Sequence, residues 1–273
     1  MNDFELEYRP LTTMEEMALV KELDRKIWDM DPVPEHQTIT AIKNGGIMLG
    51  VFHEGTLIGF SYSFPGFEHG KVYLCSHMLG IDPLYQSKGI GEKMKWKQRD
   101  IAKEKGYDVM KWTYDPLETK NGKLNLTKLN AICHTYVENC YGNMTDKLNK
   151  GLPSDRFEVE WHLNSNYVAE KQQIEVKNAT PLNAISWNEA NQAVCQPLND
   201  VTETVEMYSL HVPKDFQSLK KHDKELALEW RLKTRHLFQT LFANGYTAVD
   251  IEVKEQMSTY YFVKKVQLQI EGV

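Results

Sequence analysis

Residues 79–94, LGIDPLYQSKGIGEKM, constrain the fold more than any other stretch of the chain. The preceding run KVYLCSHMLGI, residues 71–81, is rich in apolar and β-favouring side chains and predicts a strand. Asp82-Pro83 ends it, because proline has no N–H to give to a ladder. Gln86-Ser87-Lys88-Gly89-Ile90-Gly91 follows, and a helical pattern runs over residues 90–105 with Gly106 just beyond its end. A strand that passes through glycines straight into a helix gathers unpaired N–H groups and the positive end of the helix dipole at one spot. Glycine leaves room for close approach, so the combination is a cradle for phosphate. Neither GxGxxG nor GxxxxGK[ST] is present, which sets aside the dinucleotide and P-loop fingerprints. The remaining alternative is a glycine-rich helix entry that holds no ligand.

The flanking sequence predicts how that unit is housed. Residues 6–10 read as a strand, and Thr12 or Thr13 caps a helix with Glu15 and Glu16 in its first turn. Asp31-Pro32-Val33-Pro34 breaks the chain before a short helix over 36–44 that stops at Gly45-Gly46. Apolar runs on both sides of Glu54-Gly55 predict a hairpin, and residues 65–70 read as a loop. Beyond Gly106 the pattern predicts a strand stopped by Pro116, a helix over 125–138, a strand over 156–163 and a polar boundary at 164–171. Strands at 174–176 and 205–212, a long helix over 215–243 and two closing strands complete the reading. Without regular βαβα alternation, the fold class is α+β, a mixed and mostly antiparallel sheet flanked by helices. The boundary divides the chain into residues 1–165 and a C-terminal α/β extension, 166–273. Within that extension Leu210-His211-Val212-Pro213, a helix and Asn244-Gly245-Tyr246 echo the order around residues 79–107. The echo reads equally as a degenerate half-repeat or as a chance return of helix–glycine–strand. It lacks the glycine-rich loop, so one ligand site per chain is expected.

Composition narrows the function classes. No run approaches 18 apolar residues, so no membrane span is expected. The start MNDFELEYRP lacks the basic and apolar regions of a signal peptide, and the four cysteines show no CxxC spacing. A cytoplasmic setting with no metal site is the expectation. A net charge of −6 argues against nucleic acid as partner. Residues 86–105 nevertheless hold seven Lys or Arg against three acids, which fits either a solvated helix face or a local site for a polyanionic small molecule.

Ile81-Asp82-Pro83-Leu84-Tyr85-Gln86-Ser87-Lys88-Gly89-Ile90-Gly91-Glu92-Lys93-Met94 resembles the coenzyme-A motif of the GCN5-related N-acetyltransferase (GNAT) superfamily, with Gln86 where arginine is commoner. The likeness covers roughly residues 5–165. Tyr136 followed by Tyr141 resembles the tyrosine of the family's second motif, although Leu129 stands where an asparagine is usual and Cys140-Tyr141-Gly142 replaces Gly-Phe. The tail through Met144, Asp146 and residues 151–156 resembles a poorly characterised bacterial branch.

The resemblance implies a GNAT-like fold and acetyl-CoA as co-substrate, with direct acetyl transfer to the amine of a small-molecule or peptide acceptor. Backbone amides of Gln86, Ser87, Lys88, Gly89, Ile90, Gly91 and Glu92 would take the pyrophosphate. Leu79, Gly80 and Ile81 would take the pantetheine as an added strand. Tyr136 would be the general acid. His77, two residues before Leu79 and so on that residue's face of the strand, is the candidate base, with Asp115 and Glu118 as alternatives. For His77 and Tyr136 alike, plain packing is the competing role. The contrasting function is a coenzyme-A-binding sensor or pseudoenzyme without turnover. Acceptor identity and oligomeric state are not legible.

Overall fold

The computed structural model describes residues 5–142 and 150–270 of the 273. Met144 and Asp146 of the tail motif lie outside the described residues. The described chain forms two compact units that divide between Trp112 and Thr113.

The first unit opens with β1 (Leu6–Pro10) and α1 (Met14–Trp28). Thr13 caps α1 through a reciprocal box: its hydroxyl accepts from Glu16 N–H while the Glu16 carboxylate accepts from Thr13 N–H. Next come α2 (Glu35–Lys43), β2 (Ile47–His53), β3 (Thr56–Glu68) and β4 (Lys71–Ile81). Glu54 and Gly55, both at positive φ, turn β2 into β3. The loop expected at 65–70 is shorter than that: β3 runs on through Pro65, and His69-Gly70 alone make the turn. α3 (Ile90–Glu104) leads to β5 (Val109–Tyr114), within which the unit ends. β1, β2, β3 and β4 pair antiparallel in that order, and β5 runs parallel to β4. One face of this sheet buries Phe60, Tyr62 and Met48 against Met17, Val20 and Leu23 of α1. The sheet of this unit is thus mixed and mostly antiparallel, as expected for α+β.

In the second unit a short helix α4 (Thr119–Gly122) runs into a wide π turn over Lys123–Lys128. The helix expected over 125–138 does not form. Asn130, at φ 50°, stops the turn, and the β-branched and aromatic run Ile132–Val137 is β6 instead. It pairs with β7 (Arg156–His162). After α5 (Asn166–Ala169) come β8 (Thr180–Pro181), the hairpin β9 (Asn183–Trp187) and β10 (Ala193–Pro197), and β11 (Met207–Pro213). Residues 174–176 are not a strand, since no buried face forms along them. The long helix is two, α6 (Phe216–His222) and α7 (Lys224–Ala243). Asp223 adopts extended backbone between them and caps α7 by accepting from Leu226 N–H. β12 (Tyr246–Val253) and β13 (Met257–Lys264) close the unit.

The strand order here is β7-β6-β12-β13-β11-β8. Residues 113–165 therefore pair with β12 and pack with the C-terminal part, so the division falls well before the polar stretch at 164–171. β13 lies between β11 and β12, whereas their suggested counterparts β4 and β5 are direct neighbours, so the echo in sequence is not an echo in topology.

Candidate active site

Asp82 shapes the exit from β4. Its carboxylate accepts from Leu84 N–H at 3.1 Å and from Lys26 Nζ at 2.6 Å. Burial pulls the Asp82 pKa upward, but these two donors outweigh it and hold the carboxyl below its ordinary value. Gln86 Nε2 then donates to Ile81 O at 3.0 Å, folding the loop back on the strand. Ser87 (φ 63°) and Gly89 (φ 77°) take the left-handed conformation that aims the chain into α3. No side chain caps α3 at Gly89. By helix geometry the N–H groups of its first turn have no intrahelical acceptor.

Two glycines of this segment answer to different demands. A Cβ on Gly80 would lie 2.7 Å from Trp28 Cη2, so the packing of α1 on β4 requires glycine there and leaves only its backbone for a ligand. A Cβ on Gly91 would meet nothing closer than Leu79 Cδ2 at 3.6 Å, an ordinary contact, and its φ is not positive. Neither packing nor backbone requires glycine at 91. The open space over it fits a group from outside the chain, and an uncapped helix start suits a phosphate there.

β4 pairs with β5 only at Leu74–Met110 and Cys75–Lys111, although it continues to Ile81. Past Cys75 its edge toward β5 carries no ladder in this unit. A β-bulge sits at the same place. Tyr62 faces Met78 but Ser63 faces Ser76, so His77 is the extra residue. The bulge reverses the alternation. Leu79, opposite Ser61, shares the face of Ser76, whereas the His77 ring meets Tyr62 (6.1 Å between centroids) and Phe64 (5.6 Å) on the opposite face. His77 therefore does not share the face of Leu79. It is exposed at the bulge, and partial desolvation beside the two rings lowers its pKa, leaving the imidazole neutral at pH 7.

Behind the bulge α3 places Lys95 and Gln98 on its buried face. Lys95 Nζ donates to Ser76 Oγ at 2.8 Å and lies 3.5 Å from the centre of the Trp112 ring. Burial pushes the ammonium down to about 7, with the Cys75 thiol pulling weakly the other way. Sequence reasoning counted Lys95 in a basic run and missed its placement. The signal was there, since Lys95 and Gln98 fall on the same helical stripe as Ile90, Met94 and Ala102.

Tyr136 belongs to the second unit and lies on β6, not on a helix, which removes the motif that suggested it as the acid. Its hydroxyl donates to Asp155 Oδ2 at 2.6 Å. Arg235 holds both oxygens of that fully buried carboxylate, at 2.8 and 2.9 Å. Burial, then the Asp155 charge against the opposing pull of Arg231, raises the phenol pKa far above its ordinary value. Asp115 is bound through both oxygens by Arg231, which is buried along with Trp230. Burial raises the Glu118 pKa, and a hydrogen bond from Gln217 opposes it.

A model described as the acetyltransferase (GNAT) family matches residues 12–121. Among solved structures, an acetyltransferase of that family from Streptococcus pneumoniae is 13% identical with a TM-score of 0.47, covering 57% of this chain and 98% of its own. A putative acetyltransferase from Salmonella typhimurium, solved with its cofactor acetyl-CoA, is 16% identical with a TM-score of 0.46, covering 58% and 94%. No curated protein matches the chain significantly.

Proposed function

We propose that this chain, whose residues 12–121 match the acetyltransferase (GNAT) family model, moves an acetyl group from acetyl-CoA to an amine by direct transfer. The observation that carries the proposal is the junction at residues 76–91, where an unladdered strand edge runs into an uncapped helix start with open space over Gly91. Amides of residues 86–92 would bind the pyrophosphate, with Lys88 and Lys93 adding positive charge. The β4 edge at Leu79, Gly80 and Ile81 would hold the extended pantetheine arm through its main chain. Acetyl-CoA would supply the activated thioester. His77, neutral and exposed at the bulge, is the residue we assign to accept the proton that the acceptor amine loses. The acceptor is a small-molecule or peptide amine.

Tyr136 remains protonated, as an acid must, but its proton is committed to Asp155. That commitment favours one second reading, a protein that binds coenzyme A without turnover. Thiol release from acetyl-CoA across a panel of amines, beside calorimetry with coenzyme A, separates the two. Turnover with any amine supports the transferase, tight one-to-one binding without turnover supports the sensor, and absence of binding refutes both.

A further inference from the structure

Asp24 stands on the buried stripe of α1. Met17, Val20 and Leu23 share that stripe and pack on the sheet, and Asp24 is as buried as Val20 and Leu23, at 5% exposure. Its carboxylate accepts from Val33 N–H, and among the described residues no ion pair joins it to a cation. Lys21, one turn before it, pairs with Glu35 at 3.1 Å instead. A carboxylate taken out of water with one backbone donor is costly, and asparagine would fill the same volume without the charge.

Asp24 lines a cavity of about 10 Å³, room for one water-sized group. Of the other polar side chains in its wall, Lys21 and Thr38 are both bonded to Glu35, which leaves the Asp24 carboxylate to set the sign of a guest. Phe60 and Tyr62 contribute aromatic surface, which tolerates a cation better than an alkyl wall does. Size, sign and wall together describe a primary ammonium. A carboxylate is repelled, and a quaternary ammonium is too large. The cavity also adjoins the transfer site. Met78, which follows His77 at the bulge, faces Tyr62 across the ladder, and both line the cavity. The Tyr62 ring lies edge-on to the His77 ring, with 6.1 Å between centroids. His77 and the cavity therefore share the α1 face of the sheet, with one tyrosine between them.

Resting on the transferase reading above, we propose that this cavity selects the acceptor: the acceptor is a diamine, one end of which sits as a primary ammonium against Asp24 while the other nitrogen reaches His77 and the thioester. The reacting nitrogen forms its bond to the acetyl carbon as the C–S bond breaks. Its proton goes to His77, and the thiolate leaves with coenzyme A. The ammonium at Asp24 takes no part in these steps. Asp24 is a specificity residue, and it distinguishes an amine with a second cationic group several bonds away from an amine with an alkyl tail.

The test compares three amines with acetyl-CoA: putrescine, butylamine, and putrescine trimethylated on one nitrogen, which keeps the charge but exceeds the cavity. In the wild type kcat/KM for putrescine should exceed that for butylamine by about tenfold or more, and the trimethylated amine should fall back toward butylamine. In Asp24→Asn the advantage of putrescine should vanish, with coenzyme A affinity unchanged as the check that the variant is folded. Equal kcat/KM for putrescine and butylamine in the wild type overturns the assignment while the transferase reading stands. So does an advantage that survives in a folded Asp24→Asn, or a trimethylated amine as good as putrescine. Calorimetric titration of the coenzyme-A-loaded protein with putrescine reads the site without turnover. Binding to the wild type that is lost in Asp24→Asn supports the ammonium site, and no binding to the wild type overturns it. If no amine is acetylated, the transferase reading falls, and this titration still decides the site at Asp24.

Discussion

Gly91 separates a glycine demanded by the fold from one demanded by a ligand. It is the second residue of α3, has no positive φ, and an added methyl would meet only Leu79 Cδ2 at 3.6 Å. Gly91→Ala should therefore leave the fold intact. By reducing the entropy of the unfolded chain it should add up to about 1 kcal/mol of stability. The same methyl would stand where the pyrophosphate approaches the helix start. Coenzyme A affinity should fall about tenfold, roughly 1.4 kcal/mol. Gly91→Glu adds length and a negative charge and should fall further. The opposite signs are the point, since a mutation that merely damaged the site would lower stability and affinity together. Gly89→Ala supplies the contrast, because φ 77° makes any Cβ there strained by about 1–2 kcal/mol. Denaturant midpoints and calorimetric titration of each variant with coenzyme A give both quantities. Unchanged affinity in a stabilised Gly91→Ala, together with unchanged affinity in a folded Gly91→Glu, would refute the assignment of this loop.

His77→Gln should lower turnover at pH 7 by 10²-fold or more if chemistry limits, with coenzyme A affinity unchanged; wild-type turnover would remove His77 as the base. Tyr136→Phe takes one donor from the buried Asp155 and should cost about 1–2 kcal/mol in a denaturant melt while turnover stays within a few-fold. A fall of a hundredfold in a well-folded variant would restore Tyr136 as acid. Lys95 binds fewer protons folded than unfolded, so its contribution to stability is worst below about pH 7 and recovers as pH rises toward the ordinary lysine range. Wild type compared with Lys95→Met should gain about 1.4 kcal/mol per pH unit between roughly pH 8 and 9.5, and a pH-independent difference would contradict the buried, unpaired state.

Local chemistry explains which parts of the fold were legible in the sequence. Thr13 with Glu16, Glu54-Gly55, and Asp82-Pro83 through Gly91 each specify their backbone within a few residues, and each element formed where expected. The second unit was harder because its decisions are long-range. Residues 132–137 become a strand because β7 and β12 are there to pair with them, and periodicity in a single segment carries no trace of a partner a hundred residues away. Asp223 shows the converse. It sits inside a continuous helical pattern, yet its carboxylate caps a new helix, a choice that Asp makes readily and that a hydrophobic-stripe reading overlooks. Asp155 was passed over because the groups that make it a hub, Tyr136 and Arg235, come from β6 and α7.

The assignment of His77 shows how one inserted residue changes a chemical argument. A period of two puts residues 77 and 79 on one face of a strand, and that rule joined the base to the ligand's side of β4. The bulge adds one residue between Ser76 and Met78, so the rule holds on each side of it and fails across it. Leu79 and Ser76 stay on the face of α3, with Lys95 behind them, and His77 turns to the face of Tyr62 and Phe64. His77 and Lys95 thus lie on opposite faces of the sheet, with the unladdered main chain of β4 between them. This separation suits a transfer site better than the shared face did. The imidazole on one side can receive a proton from an incoming amine without meeting the amine of Lys95 on the other. Neither competes with the other for the same proton or the same space. A single bulge sorts these two groups, so deleting His77, which restores the alternation, should abolish coenzyme A binding, whereas His77→Gln, which removes only the imidazole, should leave that binding unchanged.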